Sequence, residues 1–130
     1  MSEKEVVRTD AAPAPFQGAP YSQAITAAGL VFVSGQLALR PDHAEIQGEA
    51  IQEQTEQVFA NLRAILEAAG SGLDLLVKTT VFLRNLDDFQ GMNEVYARHV
   101  GERPPARATI EVGRLPSGAL VEIDAVALLR

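Results

Sequence analysis

The chain has 130 residues and 47% hydrophobic content, which indicates one globular domain with a substantial buried core. Its formal net charge of −6 argues against a dedicated nucleic-acid-binding protein, and the absence of cysteine excludes disulfides, thiolate nucleophiles and cysteine metal sites. No apolar run approaches membrane-spanning length and the N-terminus lacks an apolar signal segment, so we expect a cytoplasmic protein without membrane contact.

The first third of the chain predicts a lead-in and a hairpin. Residues 1–15 are polar and rich in Ala and Pro, which indicates a flexible or loosely docked lead-in to a domain over residues 16–130. Two apolar runs, residues 23–27 and 30–33, flank Ala28-Gly29 and predict a β-hairpin. Gly35 follows the second run and predicts either a bulge or a close approach of the backbone to a ligand.

The middle of the chain predicts two helices around a strand. Residues 49–69 form an amphipathic helical pattern, and apolar residues recur at four-three spacing at Ile51, Thr55, Val58, Leu62, Ile65 and Ala69. Residues 75–83 are rich in β-branched residues and apolar on both faces, which predicts a strand covered on both sides. A second helix follows, with Asp87 as the expected cap and Gln90 in the capping-box position.

Two further strands are predicted at residues 106–113 and 120–128, on either side of a Leu-Pro-Ser-Gly turn. Each carries a charge where a strand interior is usually apolar, namely Arg107 and Glu122. Because strand side chains alternate in direction, Arg107 and Thr109 share one face, and Glu122 points away from its apolar neighbours. Periodicity alone favours ordinary charges on a solvated sheet face.

The predicted order of elements is β-β-α-β-α-β-β. The segment from residues 75–83 to residues 106–112 has the length of a right-handed βαβ crossover. We therefore predict an α+β fold with a single mixed sheet and two helices packed on one face. Two helices are too few to cover both faces, and an uncovered apolar face normally marks an association surface.

Several short segments resemble the RidA (YjgF/YER057c/UK114) family, and together they span residues 19–130. The segments are Pro20-Tyr21-Ser22-Gln23, Phe32-Val33-Ser34-Gly35-Gln36, Val77-Lys78-Thr79-Thr80-Val81-Phe82-Leu83, Met92-Asn93-Glu94-Val95-Tyr96, Pro105-Ala106-Arg107, Gly113 with Leu115-Pro116, and Val121-Glu122-Ile123. Each segment is weak alone, but the set in this order is specific. The chain departs from the family pattern at Ala19, where Gly is familiar, and at Ala108-Thr109, where members often have Ser-Cys.

The resemblance implies a homotrimer with a fold similar to that of trimeric chorismate mutase. It implies hydrolysis of reactive 2-imino acids, such as 2-iminobutanoate and 2-iminopropanoate from enamines like 2-aminoacrylate, to 2-keto acids and ammonia. No cofactor, metal or nucleic acid is expected. The implied catalytic residues are Arg107, which would bind the substrate carboxylate, and Glu122, which would hold or deprotonate water. The implied pocket residues are Tyr21, Ser34, Gly35, Asn93 and Thr109.

Two other functions remain open. The first is a non-catalytic regulatory trimer that binds a small carboxylate, for which Arg107 serves as well as it does for catalysis. Glu122 counts against it, because a carboxylate beside a bound carboxylate is unfavourable. The second is an endoribonuclease or translation inhibitor, as the family was formerly named. The acidic balance and the absence of an aromatic-basic patch count against it.

Overall fold

A six-stranded mixed sheet forms the centre of the structure, a computed structural model that describes residues 3–130. The sheet order is β1-β2-β3-β6-β4-β5, and all neighbouring strands are antiparallel except the parallel pair β4 and β5. The strands are β1 (Glu5–Val7), β2 (Ala24–Ala27), β3 (Leu30–Gln36), β4 (Leu76–Leu83), β5 (Ala106–Glu111) and β6 (Val121–Leu128), and the helices are α1 (Ile51–Ala68) and α2 (Phe89–Val100).

The predicted hairpin and crossover are both confirmed. Strands β2 and β3 pair in antiparallel register across Ala28 and Gly29, which have φ angles of 54° and 80°. Positive φ at both turn residues matches the twist of a two-residue hairpin, and Gly29 adopts it without strain. Strands β4 and β5 are parallel, so the chain must cross over between them, and α2 makes that crossover.

The core lies between one face of the sheet and the two helices. Alternate residues of β6 are buried there, and the apolar stripe predicted for α1 supplies Val58, Leu62 and Ile65, each 0% exposed. The α+β prediction of two helices on one mixed sheet is therefore confirmed. Within residues 3–130, neither helix combines the length and the apolarity that crossing a bilayer requires.

The opposite face of the sheet, here called the open face, is not covered by any of residues 3–130. Phe32 on β3, Ile110 on β5 and Leu128 on β6 are 45%, 45% and 48% exposed. Strand β4 lies inside the sheet, as predicted, but only one of its faces is covered, and Val77 is exposed as well. The prediction that both faces of β4 are covered is therefore wrong within residues 3–130, because both helices pack on the same side of the sheet.

The N-terminal region contains a strand that the sequence did not predict. Strand β1 pairs with β2 from Glu5 opposite Thr26 to Val7 opposite Ala24, inside the segment expected to be a lead-in. The buried Gln23 side chain holds the following segment, because its Nε2 donates to the carbonyls of Thr9, Ala12 and Pro13 at 2.8–3.2 Å. A three-residue strand is too short to show periodicity. Residues 1–2 of the expected lead-in lie outside the described residues.

The predicted cap of the second helix is wrong. Asn85 Oδ1 accepts a hydrogen bond from the Asp87 N–H at 2.8 Å, so Asn85 caps a short 3-10 turn, Leu86–Asp88, that precedes α2. Helix α2 itself begins at Phe89 without a side-chain cap. Several residues of the capping type occur in succession here, and the pattern alone does not select among them.

Candidate active site

Glu122 lies on the open face of β6, directly over the backbone of Gly35 on the neighbouring strand β3. A Cβ atom on Gly35 would collide with the Glu122 Oε2 atom. The register between β3 and β6 shifts between Val33 and Gln36, so the strand bulges at this point. The bulge, one of the two alternatives considered for Gly35, is present, and the group that closely approaches the Gly35 backbone is the Glu122 carboxylate.

A cavity of about 360 Å³ opens beside this carboxylate. Tyr21 and Ser34 supply hydroxyl groups to it. The Tyr21 hydroxyl accepts from the Phe16 N–H at 2.5 Å, which leaves the phenolic proton available to a ligand. The Ser34 hydroxyl donates to the Ser22 carbonyl at 2.6 Å, which leaves its oxygen free to accept. The lining residues are Phe16, Ala19, Tyr21, Ser34, Gly35, Leu37, Pro116 and Glu122.

The environment of Glu122 makes its carboxylate more basic. Partial burial raises the pKa of Glu122 above its ordinary value, because burial disfavours the charged form. The Asp124 carboxylate, two residues further along the same face, raises the pKa of Glu122 further by charge repulsion. Asp124 is itself held by the backbone, since its Oδ1 accepts from the Thr80 N–H at 3.2 Å. A carboxylate with a raised pKa is a better acceptor of a proton from water.

Arg107 is held by α2 on the other side of the sheet. Its Nη1 donates to Asn93 Oδ1 at 2.8 Å, and its Cζ lies 4.7 Å from the ring centroid of Tyr96 and 5.5 Å from that of Phe89. In the described part of the chain, the Asn93 oxygen is the hydrogen-bonding partner of this guanidinium. Four of the five N–H donors are therefore left for a ligand, enough for a two-donor grip on a carboxylate.

Thr109 lies two residues after Arg107 on the same face of β5. Its Oγ1 atom is buried and, among residues 3–130, has no hydrogen-bonding partner. Buried hydroxyl groups are usually paired, because a buried group without a partner destabilises the fold. Thr109 therefore places a buried, unpaired hydroxyl on the same face of β5 as Arg107.

The structure divides the predicted site residues into two groups on opposite faces of the sheet. Arg107 is in register with Thr79, a buried residue on the helix side, whereas Glu122 is in register with Phe82 on the open face. Strand β4 also separates the two strands that carry these residues. The first group is Tyr21, Ser34, Gly35 and Glu122, and the second is Asn93, Arg107 and Thr109. One chain alone therefore does not bring Arg107 and Glu122 to the same small ligand.

The sequence analysis missed the two aromatic residues that contact Arg107. Phe89 and Tyr96 lie four residues before and three residues after Asn93, so all three share one side of α2. That spacing is the signal that could have identified them. Aromatic residues at this period more commonly belong to the buried stripe of a helix, so the spacing alone does not indicate contact with Arg107.

Comparisons with known proteins identify the family of this chain. The chain matches the family described as Endoribonuclease L-PSP over residues 9–129. It is 49% identical over 124 residues to a RutC family protein of Pyrococcus horikoshii, covering 95% of this chain and 97% of the relative. It is 46% identical over 127 residues to Reactive Intermediate Deaminase A, chloroplastic, of Arabidopsis thaliana, covering 98% of this chain and 67% of the relative.

The solved structure of E. coli TdcF with bound serine superposes with a TM-score of 0.88 at 34% identity, covering 97% of this chain and 99% of that chain. A match over nearly the whole chain at this identity reflects common ancestry and not only a shared fold. The chain belongs to the endoribonuclease L-PSP family, which includes reactive intermediate deaminases, and the resemblance to the RidA (YjgF/YER057c/UK114) family is confirmed.

Proposed function

We propose that this protein hydrolyses 2-imino acids, such as 2-iminobutanoate and 2-iminopropanoate, to 2-keto acids and ammonia, in a site formed between copies of the chain. The observation that carries the proposal is that one chain presents two incomplete groups on opposite faces of its sheet. One presents a basic carboxylate beside a cavity, and the other presents a positioned guanidinium with free donors. The relative named a reactive intermediate deaminase, and the relative solved with bound serine, support a small substrate with a carboxylate.

The reaction needs few groups because an imine carbon is already electrophilic. Arg107 binds the substrate carboxylate through two parallel N–H donors. Glu122 takes a proton from water as the water oxygen bonds to the imine carbon, and it passes that proton to the imine nitrogen, which leaves a carbon bearing one hydroxyl and one amino group. Glu122 then takes the hydroxyl proton as the carbonyl forms. It passes this proton to the amino nitrogen as the C–N bond breaks, and ammonia leaves. The Tyr21 hydroxyl donates to the reacting centre, and the Ser34 oxygen accepts from it.

The alternative function, a regulatory trimer that binds a small carboxylate, is supported by the group that contains Arg107. The Arg107 and Asn93 pair suits binding without turnover. Glu122 argues for catalysis. Its ionised carboxylate repels a carboxylate ligand, whereas its raised pKa suits the acceptance of a proton from water. The two functions differ in turnover, which can be measured directly.

A coupled assay tests the proposal. Threonine dehydratase releases the imine from threonine, semicarbazide scavenges the free imine, and release of 2-ketobutyrate is followed. We expect this protein to accelerate ketobutyrate release in competition with the scavenger. No acceleration over a range of protein concentrations would contradict imine hydrolysis. Salt-dependent binding and cleavage of RNA in the same preparation would favour the endoribonuclease instead.

We expect a homotrimer in solution, because the apolar open face is uncovered in the single chain. Light scattering at micromolar concentration measures this, and a stable monomer would contradict both the assembly and the shared site. Phe32→Glu places a charge on the open face and is expected to dissociate the assembly. Leu86→Glu is a matched control, because Leu86 is equally exposed at 45% but lies outside the sheet.

Gly35→Ala is expected to lower turnover by about a hundredfold while the chain stays folded, because displacing a catalytic group by about 1 Å has effects of this size. The added Cβ would collide with the Glu122 carboxylate, which is the end of a flexible side chain and can swing away. Gly113→Ala is the control, since a Cβ there meets nothing within 4 Å. Steady-state kinetics of both variants measure the effect, and equal rates would contradict the role of the Gly35 contact.

A further inference from the structure

Tyr96 lies directly beneath the guanidinium of Arg107. Its ring centroid is 4.7 Å from the Arg107 Cζ, nearer than the Phe89 ring at 5.5 Å. Tyr96 is only 5% exposed, so this contact is largely withdrawn from water. A guanidinium over an aromatic ring is attracted to the ring face, and the attraction grows when the pair is desolvated.

The Tyr96 ring is itself fixed from two further directions. Its hydroxyl hydrogen-bonds to Thr79 Oγ1 at 2.6 Å, and Thr79 is the residue of β4 in register with Arg107 on β5. Phe59 of α1 packs edge-on against the same ring, with centroids 5.4 Å apart and planes at 83°. A ring tied at its hydroxyl and packed at its edge has little freedom to tilt.

Tyr96 and Asn93 constrain different motions of the guanidinium. The Tyr96 ring face limits how far the guanidinium can move towards the helix, and the hydrogen bond to Asn93 limits its rotation. Together they direct the unused donors before a ligand arrives. Ordering a flexible side chain in advance improves affinity, because less conformational entropy is lost on binding.

We propose that Tyr96 is a positioning residue for Arg107: its ring carries the guanidinium, and its hydrogen bond to Thr79 fixes the ring. This rests on the proposed function, because the positioned guanidinium is the group that receives the substrate carboxylate. Carboxylate binding is the same before and during the reaction, so losing Tyr96 affects KM and ligand affinity more than kcat.

The test uses the full chain with four variants. Tyr96→Leu removes the ring and is expected to raise KM for the imine about tenfold, and to weaken 2-ketobutyrate binding measured by calorimetry by a similar factor. Tyr96→Phe restores the ring and is expected to recover most of that loss. Thr79→Val removes the anchor at constant shape and is expected to raise KM about threefold. Val95→Ala, a buried change on the same helix, lowers thermal stability without raising KM.

The results separate this proposal from the proposed function. Unchanged KM and ketobutyrate affinity in Thr79→Val and in Tyr96→Leu overturn the role of Tyr96, whether or not wild-type turnover is seen. If Tyr96→Leu does not fold, Thr79→Val decides alone. If wild-type protein binds ketobutyrate without hydrolysing imines, the proposed function fails and the affinities still test Tyr96. If the wild-type protein neither binds ketobutyrate nor hydrolyses imines, the chemical shift of the Arg107 Nε–H resonance, which the nearby Tyr96 ring displaces, decides. An unchanged shift in Thr79→Val then overturns the proposal.

Discussion

Replacing Glu122 with glutamine is expected to lower the rate of imine hydrolysis by about two to four orders of magnitude, the usual contribution of a general base. Glutamine keeps the size of the side chain and one acceptor oxygen, but it cannot take a proton from water. Affinity for 2-ketobutyrate should hold or improve, because Arg107 is intact and a repelling charge has been removed. Turnover and ketoacid binding are measured in the same preparation.

Two outcomes would contradict this role of Glu122. Unchanged turnover in the Gln variant would remove Glu122 from the mechanism and leave a backbone carbonyl to hold the water. Lost ketoacid binding in a folded variant would make Glu122 a support for the carboxylate-binding group. Asp124→Asn is the matched control, because it removes a charge from the same face and keeps an oxygen for the Thr80 N–H.

The raised pKa of Glu122 predicts how activity and stability depend on pH. The carboxylate acts as a base only when ionised, so the rate should fall as pH drops through that raised pKa, and Asp124→Asn should move the midpoint lower. Because the folded-state pKa exceeds the unfolded one, the ionised carboxylate destabilises the fold above that pKa, and the penalty disappears at lower pH. Glu122→Gln should therefore unfold at an equal or higher temperature at neutral pH.

Arg107→Ala is expected to abolish imine hydrolysis without dissociating the assembly. The variant loses the carboxylate-binding fork, and the groups that held it, Asn93 and Tyr96, remain on α2. Arg107→Lys should also be poor, because a point charge does not reproduce two parallel hydrogen bonds. Coupled-assay kinetics with light scattering measure both effects. An Ala variant that keeps most of its activity would make Arg107 an ordinary strand residue.

Mixing two inactive variants tests whether the site is shared. When Arg107→Ala and Glu122→Gln chains are co-expressed, random pairing gives about a quarter of the interfaces an intact Arg107 and an intact Glu122 from different chains. Activity should therefore reappear in the mixture. If both residues acted from one chain, every site would carry a defect and the mixture would stay inactive. Each variant expressed and assayed alone is the control.

The sequence predicts which side chains of one strand point the same way better than it predicts where that strand lies in the sheet. Alternation correctly grouped Arg107 with Thr109 and turned Glu122 away from its apolar neighbours. It could not show that the two residues face opposite sides, because the side to which each strand turns depends on the strand order β3-β6-β4-β5. That order is fixed by tertiary packing between distant segments, and no local pattern records it.

The hydrophobic periodicity of the sequence also does not predict very short strands or the partners of individual side chains. Strand β1 has three residues, and the segment that follows it is held by Gln23, whose partners lie 10–14 residues earlier in the chain. The contacts of Phe89 and Tyr96 with Arg107 join a helix to a strand, and helical spacing only indicated that the two aromatic residues share a side. The resemblance supplied the site residues, and the structure supplied their division into two groups.

The position of β6 has a consequence for how the chain is made. This strand comes last among the six in chain order, yet it lies between β3 and β4, which do not pair with each other. Until Val121–Leu128 leave the ribosome, the earlier strands form two separate pieces with unpaired edges. Such edges invite pairing with other chains, and sheets that depend on distant segments fold slowly. Substitutions that weaken β6 should therefore reduce the yield of native protein during synthesis more than they reduce the lifetime of protein already folded.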